Sequence, residues 1–419
     1  MKKLWAKIIG FFKALKPRGY VLLIAILVLP TIAIISAVLP TTLNDYVTGD
    51  TLKNDYDYVS LESKYGVKTY STKMKEYAES GYPDSGVTGV IPVSSMSGTT
   101  VYSADATYGS SVDDYADYVG HPSDAMVLDD ASSVSFTHTS HTAGLYYLSV
   151  DYMELTNAVD NPKISLTING VSPFYESQTL ILPSSWAFTS RDFALDRYGN
   201  EIQPSSEKVK TWRTWNVQDE HGMHSGLFGF ELSFGDVIRI DSVNGSCLIG
   251  EVHYITQENL PTYDEYLALH GDAPVIKENL LYSARTMDLR SDPSIRLRTE
   301  QDPSALYYET DYLRLNTVFG DSWRTGGQTI SYNFSVETSG YYHISLKYRQ
   351  YIIRDLPVFR SIAIDGEVPF ENLDNYAFPY TTSFLNRTLM DENGDPLKVF
   401  LTAGDHVISF KAVDFSYRQ

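Results

Sequence analysis

Tryptophans and arginines beside turn residues are the side chains of this sequence best suited to recognition chemistry. Trp186 follows the Pro183 turn, Trp212 and Trp215 flank Arg213, and Trp323-Arg324 precede Gly326-Gly327. A sugar offers C–H faces that stack on aromatic rings and hydroxyls that bond guanidinium, carboxylate or amide groups. Trp186, Trp212, Arg213, Trp215, Trp323 and Arg324 are therefore the candidate ligand-binding residues. The alternative for each tryptophan is packing, in a core or between domains. Trp212 and Trp215 share a face if their segment is helical and lie on opposite faces if it is extended.

No catalytic constellation emerges. GxSxG, HExxH and a phosphate-binding glycine loop are missing, and an acidic surface singles out no carboxylate pair. His221-x-x-His224, with His138 and His141, is the nearest metal-ligand spacing, but hydrogen-bonding or solvated histidines account for it as well. The single cysteine, Cys247, lies in an apolar run and reads as a small buried hydrophobe; alone, it excludes a disulfide scaffold, a four-cysteine zinc site and a CxxC motif. The expectation is a non-enzymatic binding protein without a cofactor.

The elements that must position these residues begin with the charge distribution. The 419 residues carry 33 basic against 52 acidic side chains, a net −19 that argues against nucleic acid as a partner. Six of the basic residues, Lys2, Lys3, Lys7, Lys13, Lys16 and Arg18, precede the first acidic one, Asp45, so the rest of the chain carries a net −25. Between them, Tyr20–Pro40 is an uncharged apolar run of 21 residues, about the ~20 needed to cross a bilayer core. The positive-inside rule then leaves residues 1–19 cytoplasmic and everything after about residue 41 outside the cell membrane. The run exceeds the ~7–15 residues of a signal-peptide core, which favours an uncleaved anchor over cleavage after Ala37.

Beyond the anchor the chain repeats itself. Val134–Phe174 matches Ile330–Phe370 without gaps at an offset of 196, with 11 of 41 positions identical. TAGLYYLSVDY at Thr142–Tyr152 faces TSGYYHISLKY at Thr338–Tyr348, and LSFGDVIRI at Leu232–Ile240 parallels LTAGDHVIS at Leu401–Ser409. Within each copy apolar residues alternate, and Asn169-Gly170 and Asp365-Gly366 are hairpin turn pairs. This predicts one antiparallel β-sandwich per copy. Short helices precede them, near Met74–Glu79 before Gly81 and between Pro261 and Gly271. The expected organisation is a stalk at 41–97, a first sandwich at 98–256, a helical linker at 257–279 and a second sandwich at 280–419.

The copies differ in two ways. The first has roughly 26 extra residues between Glu201 and Gly235, and loops that long usually act on or cover something. It also continues into Cys247–Ile255, whereas the second copy has only Asp414–Gln419 beyond the shared strand. Either Val413–Arg418 fills that strand position or the sequence is part of a longer protein.

The GxYxISLxY pattern, the apolar strand ending in an NG or DG turn and the late LxxGDHxISF strand resemble galactose-binding-like carbohydrate-binding modules. With the basic start, the apolar segment and the TYDEYL helix, the chain resembles the amino-terminal region of large Gram-positive extracellular solute-binding proteins of carbohydrate ABC transporters. That resemblance implies a mainly β fold of two jelly-roll sandwiches behind one transmembrane helix, glycan or oligosaccharide as ligand, and an ABC permease as partner. It also implies structural calcium, for which no ligand position here matches. The alternative function is surface adhesion or assembly through protein packing.

Overall fold

The computed structural model describes residues 66–101, 124–221, 224, 226–257 and 259–413. The apolar segment at 20–40 and the terminal residues 414–419 lie outside them. No described helix is long and apolar enough to cross a membrane. The described residues from Val67 onward form one compact unit.

That unit is mainly β. In the first sandwich, one sheet runs in the order Ser133–Thr137, Val237–Asn244, Lys163–Ile168, Leu180–Ile181. Its alternating apolar residues, Val134, Phe136, Ile164, Leu166, Ile238 and Ile240, are buried toward the opposing sheet. That sheet is centred on Leu145–Glu154, which pairs with Arg213–Asn216 and Gly229–Glu231 along one edge and Cys247–Ile255 along the other. Tyr146, Leu148, Val150 and Tyr152 complete the core between the layers, each buried large apolar side chain contributing about 1.5–3 kcal/mol.

The second copy repeats the first sheet strand for strand: Thr329–Val336, Gly404–Val413, Val358–Ile364, Tyr376–Phe378. The repeated side chains make repeated contacts. Tyr146 and Tyr342 donate their hydroxyls to the carbonyls of Thr142 and Thr338, at 2.7 and 2.6 Å. Tyr152 and Tyr348 donate to the Pro183 and Pro379 carbonyls. The hairpin residues Asn169 and Asp365 take φ of 52° and 53°. Gly144 and Gly340 are required by close approach: a Cβ there would sit 2.5 Å from the Ser85 nitrogen and 2.6 Å from the Pro274 oxygen. In both copies the preceding segment runs parallel across this strand start.

The opposing layer of the second sandwich is split into Gly340–Tyr342 paired with Val399–Leu401 and Ser345–Tyr348 paired with Leu385–Thr388. Among the described residues nothing occupies the position that Cys247–Ile255 fills in the first copy.

Two helices are capped as their sequences specify. Thr262 and Glu265 form a capping box for Tyr263–His270, which ends at Gly271. The first helix, Tyr70–Ser80, begins four residues earlier than the sequence suggests because the Thr69 hydroxyl caps it, and it ends at Gly81 with φ of 64°.

Residues between Trp186 and Glu220 of the first copy dock onto the second. Trp186–Phe188 and Ser206–Lys208 extend the second sandwich's sheet through Leu289–Arg290, giving seven strands. Glu201 accepts from the Arg285 guanidinium and the Leu315 N–H, at 2.9 and 2.8 Å. Lys411 pairs with Glu220 at 3.2 Å. The fully buried Arg290 lies 3.8 Å over the Phe188 ring and donates to Ser206, and burial pushes its pKa down to about 10.

Candidate functional site

The six residues singled out in the sequence separate. Arg213–Asn216 is extended, so Trp212 and Trp215 lie on opposite faces. Trp215, 4% exposed, is in the first core and donates its indole N–H to Glu220 at 2.7 Å, which leaves no ring face for a ligand. Trp212 packs beside Val127, Met153 and Leu248 on the other side of the sheet. Arg213 is turned inward and donates to the Pro183 and Val209 carbonyls. Trp186 is buried at the junction of the copies, with the Lys208 ammonium 5.3 Å from its ring. Trp323 donates to the Gln328 carbonyl, and the Arg360 guanidinium covers it at 4.2 Å; burial holds that guanidinium down at about 10. Only Arg324 faces an open cleft.

That cleft, about 350 Å³, is lined by Arg296, Arg324, Phe319, Asp321, Ser294, Ser322, Thr325 and Gln328. The turn Gly320–Ser322 shapes it: the Ser322 hydroxyl accepts from the Arg296 N–H, and Gln328 accepts from the Arg324 and Thr325 N–H groups at 2.9 and 3.0 Å. Arg296 and Arg324 are exposed, and among the described residues neither guanidinium has a carboxylate partner. Arg298 stacks on Phe319 at 5.0 Å and reaches Glu300 at 3.6 Å. Glu300 in turn accepts from Arg349 at 2.8 Å.

Arg349 opens a second depression, about 460 Å³, with Tyr351, Tyr380 and Thr382. Its guanidinium lies between the Tyr351 and Phe384 rings, 4.6 and 4.7 Å from their centres. The two depressions are thus joined through Arg298, Glu300 and Arg349 into one strip of alternating cations and rings on the second sandwich. Tyr351, 43% exposed, presents ring surface to solvent. Such a strip can stack on sugar faces and donate several charged hydrogen bonds.

Sequence reasoning missed Arg296, Phe319, Arg349, Tyr351, Tyr380 and Phe384. The available signal was the Pro379 turn, which shares the repeat offset with Pro183 and is followed by Tyr380, Thr382 and Phe384.

The histidines do not gather. His138 is buried against the Tyr254 hydroxyl at 2.7 Å, and desolvation lowers its pKa. His141 stacks on Phe234, and His224 pairs with Glu176 at 3.4 Å. Cys247 is buried, and desolvation pushes its thiol up.

No protein-family profile and no curated protein matches this chain. Among solved structures it is similar to the catalytic unit of a thermostable GH87 α-1,3-glucanase from Streptomyces thermodiastaticus, at 11% identity and a TM-score of 0.24, over 46% of this chain and 30% of that one. It is similar to a Podospora anserina GH26-CBM35 β-(1,4)-mannanase at 11% identity and a TM-score of 0.22, over 42% and 30%. It is also similar to the CBM22-1 xylan-binding domain of Paenibacillus barcinonensis Xyn10C, at 6% identity and a TM-score of 0.17, over 41% and 88%. The chain thus spans less than a third of the glucanase and the mannanase.

Proposed function

We propose that this chain binds glycan non-catalytically along the strip on its second sandwich. The observation that carries the reading is the joined run from Arg324 and Arg296 through Phe319, Arg298 and Glu300 to Arg349, Tyr351 and Tyr380. Tyr351 supplies a stacking face, and the unpaired guanidiniums supply donors for hydroxyls or carboxylates. The finer reading adds residues 20–40 as a single-pass anchor with the bulk of the chain outside the cell. In it, the tandem sandwiches form the glycan-binding front part of a solute-binding protein that works with a carbohydrate ABC permease; the tether, the repeat and the sequence resemblance support it. A glycan array probed with the detergent-solubilised full chain tests the proposal. Retention of at least one plant, host or cell-wall glycan is expected, and failure to retain any would overturn it.

The second reading, docking of another protein, is favoured by one observation. Ile352, Ile353 and Leu356 beside Tyr351 are 61%, 45% and 59% exposed. Replacing Ile353 by Asp separates the two: loss of a protein partner with glycan retention unchanged would favour docking.

A further inference from the structure

We propose that the first sandwich carries a divalent transition-metal site made by Asp151, Glu251 and His253. One ligand atom from each lies within 4.8 Å of the other two. Asp151 is on the central strand and the other two on its neighbour, so the donors sit on paired, rigid backbone rather than on a loop.

A local irregularity brings them together. Ile249 pairs with Tyr152 and Val252 with Val150, which leaves Gly250 and Glu251 both opposite Asp151. This β-bulge aims Glu251 beside Asp151, and regular pairing resumes with His253 opposite Ser149. The result is a half-buried carboxylate, Glu251, with no hydrogen-bond or ion-pair partner among the described residues, held against the 9% exposed Asp151. Two carboxylates so placed repel unless one takes up a proton or a cation lies between them.

The surroundings fit an ion. The Thr214 hydroxyl donates to Asp151 Oδ1 at 2.5 Å and fixes that carboxylate, as an outer partner of a ligating group does. His253 Nε2 lies 3.2 Å from Asp151 Oδ2, near the roughly 3.4 Å that separates two ligands each ~2.1 Å from a tetrahedral ion. The scaffold does not need an acid there: the corresponding residue of the second copy is Lys347, which donates to the Ser304 carbonyl. One imidazole and two carboxylates suit zinc or a similar ion with positions left for water, whereas calcium takes six to eight oxygen ligands.

The test uses the untagged full chain in detergent, stripped with a chelator and titrated with Zn²⁺ alone. One Zn²⁺ per chain is expected, with affinity falling at least tenfold in Glu251→Gln and in His253→Ala and unchanged in the control His221→Ala. Co²⁺ added to the unaltered chain should give the visible absorption of a four- or five-coordinate nitrogen–oxygen site, an outcome that does not depend on how the variants fold. Absence of stoichiometric Zn²⁺ binding, a featureless Co²⁺ spectrum, or equal affinity in Glu251→Gln and His253→Ala would each overturn the site.

Discussion

His224 and Glu176 show how single side chains set the behaviour of this fold. The hydrogen bond to Glu176 holds the His224 pKa above the usual histidine value, against the desolvation that opposes it. Glu176 is itself desolvated, yet bonds from His224 and from backbone N–H groups, including that of Tyr70, keep its carboxyl low. The His224 contribution is fully present below about pH 6.5 and is lost as pH rises through its raised folded value; that of Glu176 is present above about pH 4.3 and is lost as pH falls through its depressed one. The pair should therefore support docking of the Tyr70–Ser80 helix best between those limits. Melting temperature against pH should lose its alkaline-side decline in His224→Ala, and parallel curves would contradict the assignment. Trp215→Ala should cost about 3–5 kcal/mol in denaturant unfolding, as core aromatics do. The sequence identified the tryptophans as special but could not separate core from surface, because that choice depends on whether residues 212–215 are extended. The strip's tyrosines, exposed Tyr351 and half-buried Tyr380, were legible only as part of a tyrosine excess, since Tyr146, Tyr152, Tyr342 and Tyr348 turn out to be scaffold with repeated backbone bonds.

At the scale of elements, the repeated glycine has a steric reason. Gly144→Ala and Gly340→Ala should each destabilise by more than about 1 kcal/mol, because the crossing backbone must move, and unchanged denaturant midpoints would rule that out. The hairpin turns, the capped second helix and the sandwich layers were readable from alternation and turn chemistry. The seven-stranded sheet that draws in Trp186–Phe188 and Ser206–Lys208 was not, because two- and three-residue strands carry no periodic signal. Lys208 of that segment and Glu154 at the end of the strand Leu145–Glu154, both with side chains 2% exposed, form an ion pair, and Ser184 donates to the same carboxylate. Lys208→Ala would strand a buried charge, with an expected cost of about 3–5 kcal/mol in chemical unfolding. A cost below about 1 kcal/mol would show that water reaches Glu154.

For the whole molecule, residues between Trp186 and Glu220 of the first copy act as a clasp on the second, adding two strands to the second sandwich's sheet. The two sandwiches should therefore unfold as one cooperative transition in calorimetry, and Glu201→Ala, which removes bonds to Arg285 and to the Leu315 N–H, should separate it toward two. Such a clasp holds the strip in fixed register with the first sandwich. The central claim is that this strip binds glycan, and calorimetric titration of the best array glycan into the full chain and into Tyr351→Ala and Arg324→Ala tests it most directly. The account predicts at least about tenfold weaker binding in each variant, equivalent to ~1.4 kcal/mol, at an unchanged melting temperature; affinities equal to that of the unaltered chain would contradict it.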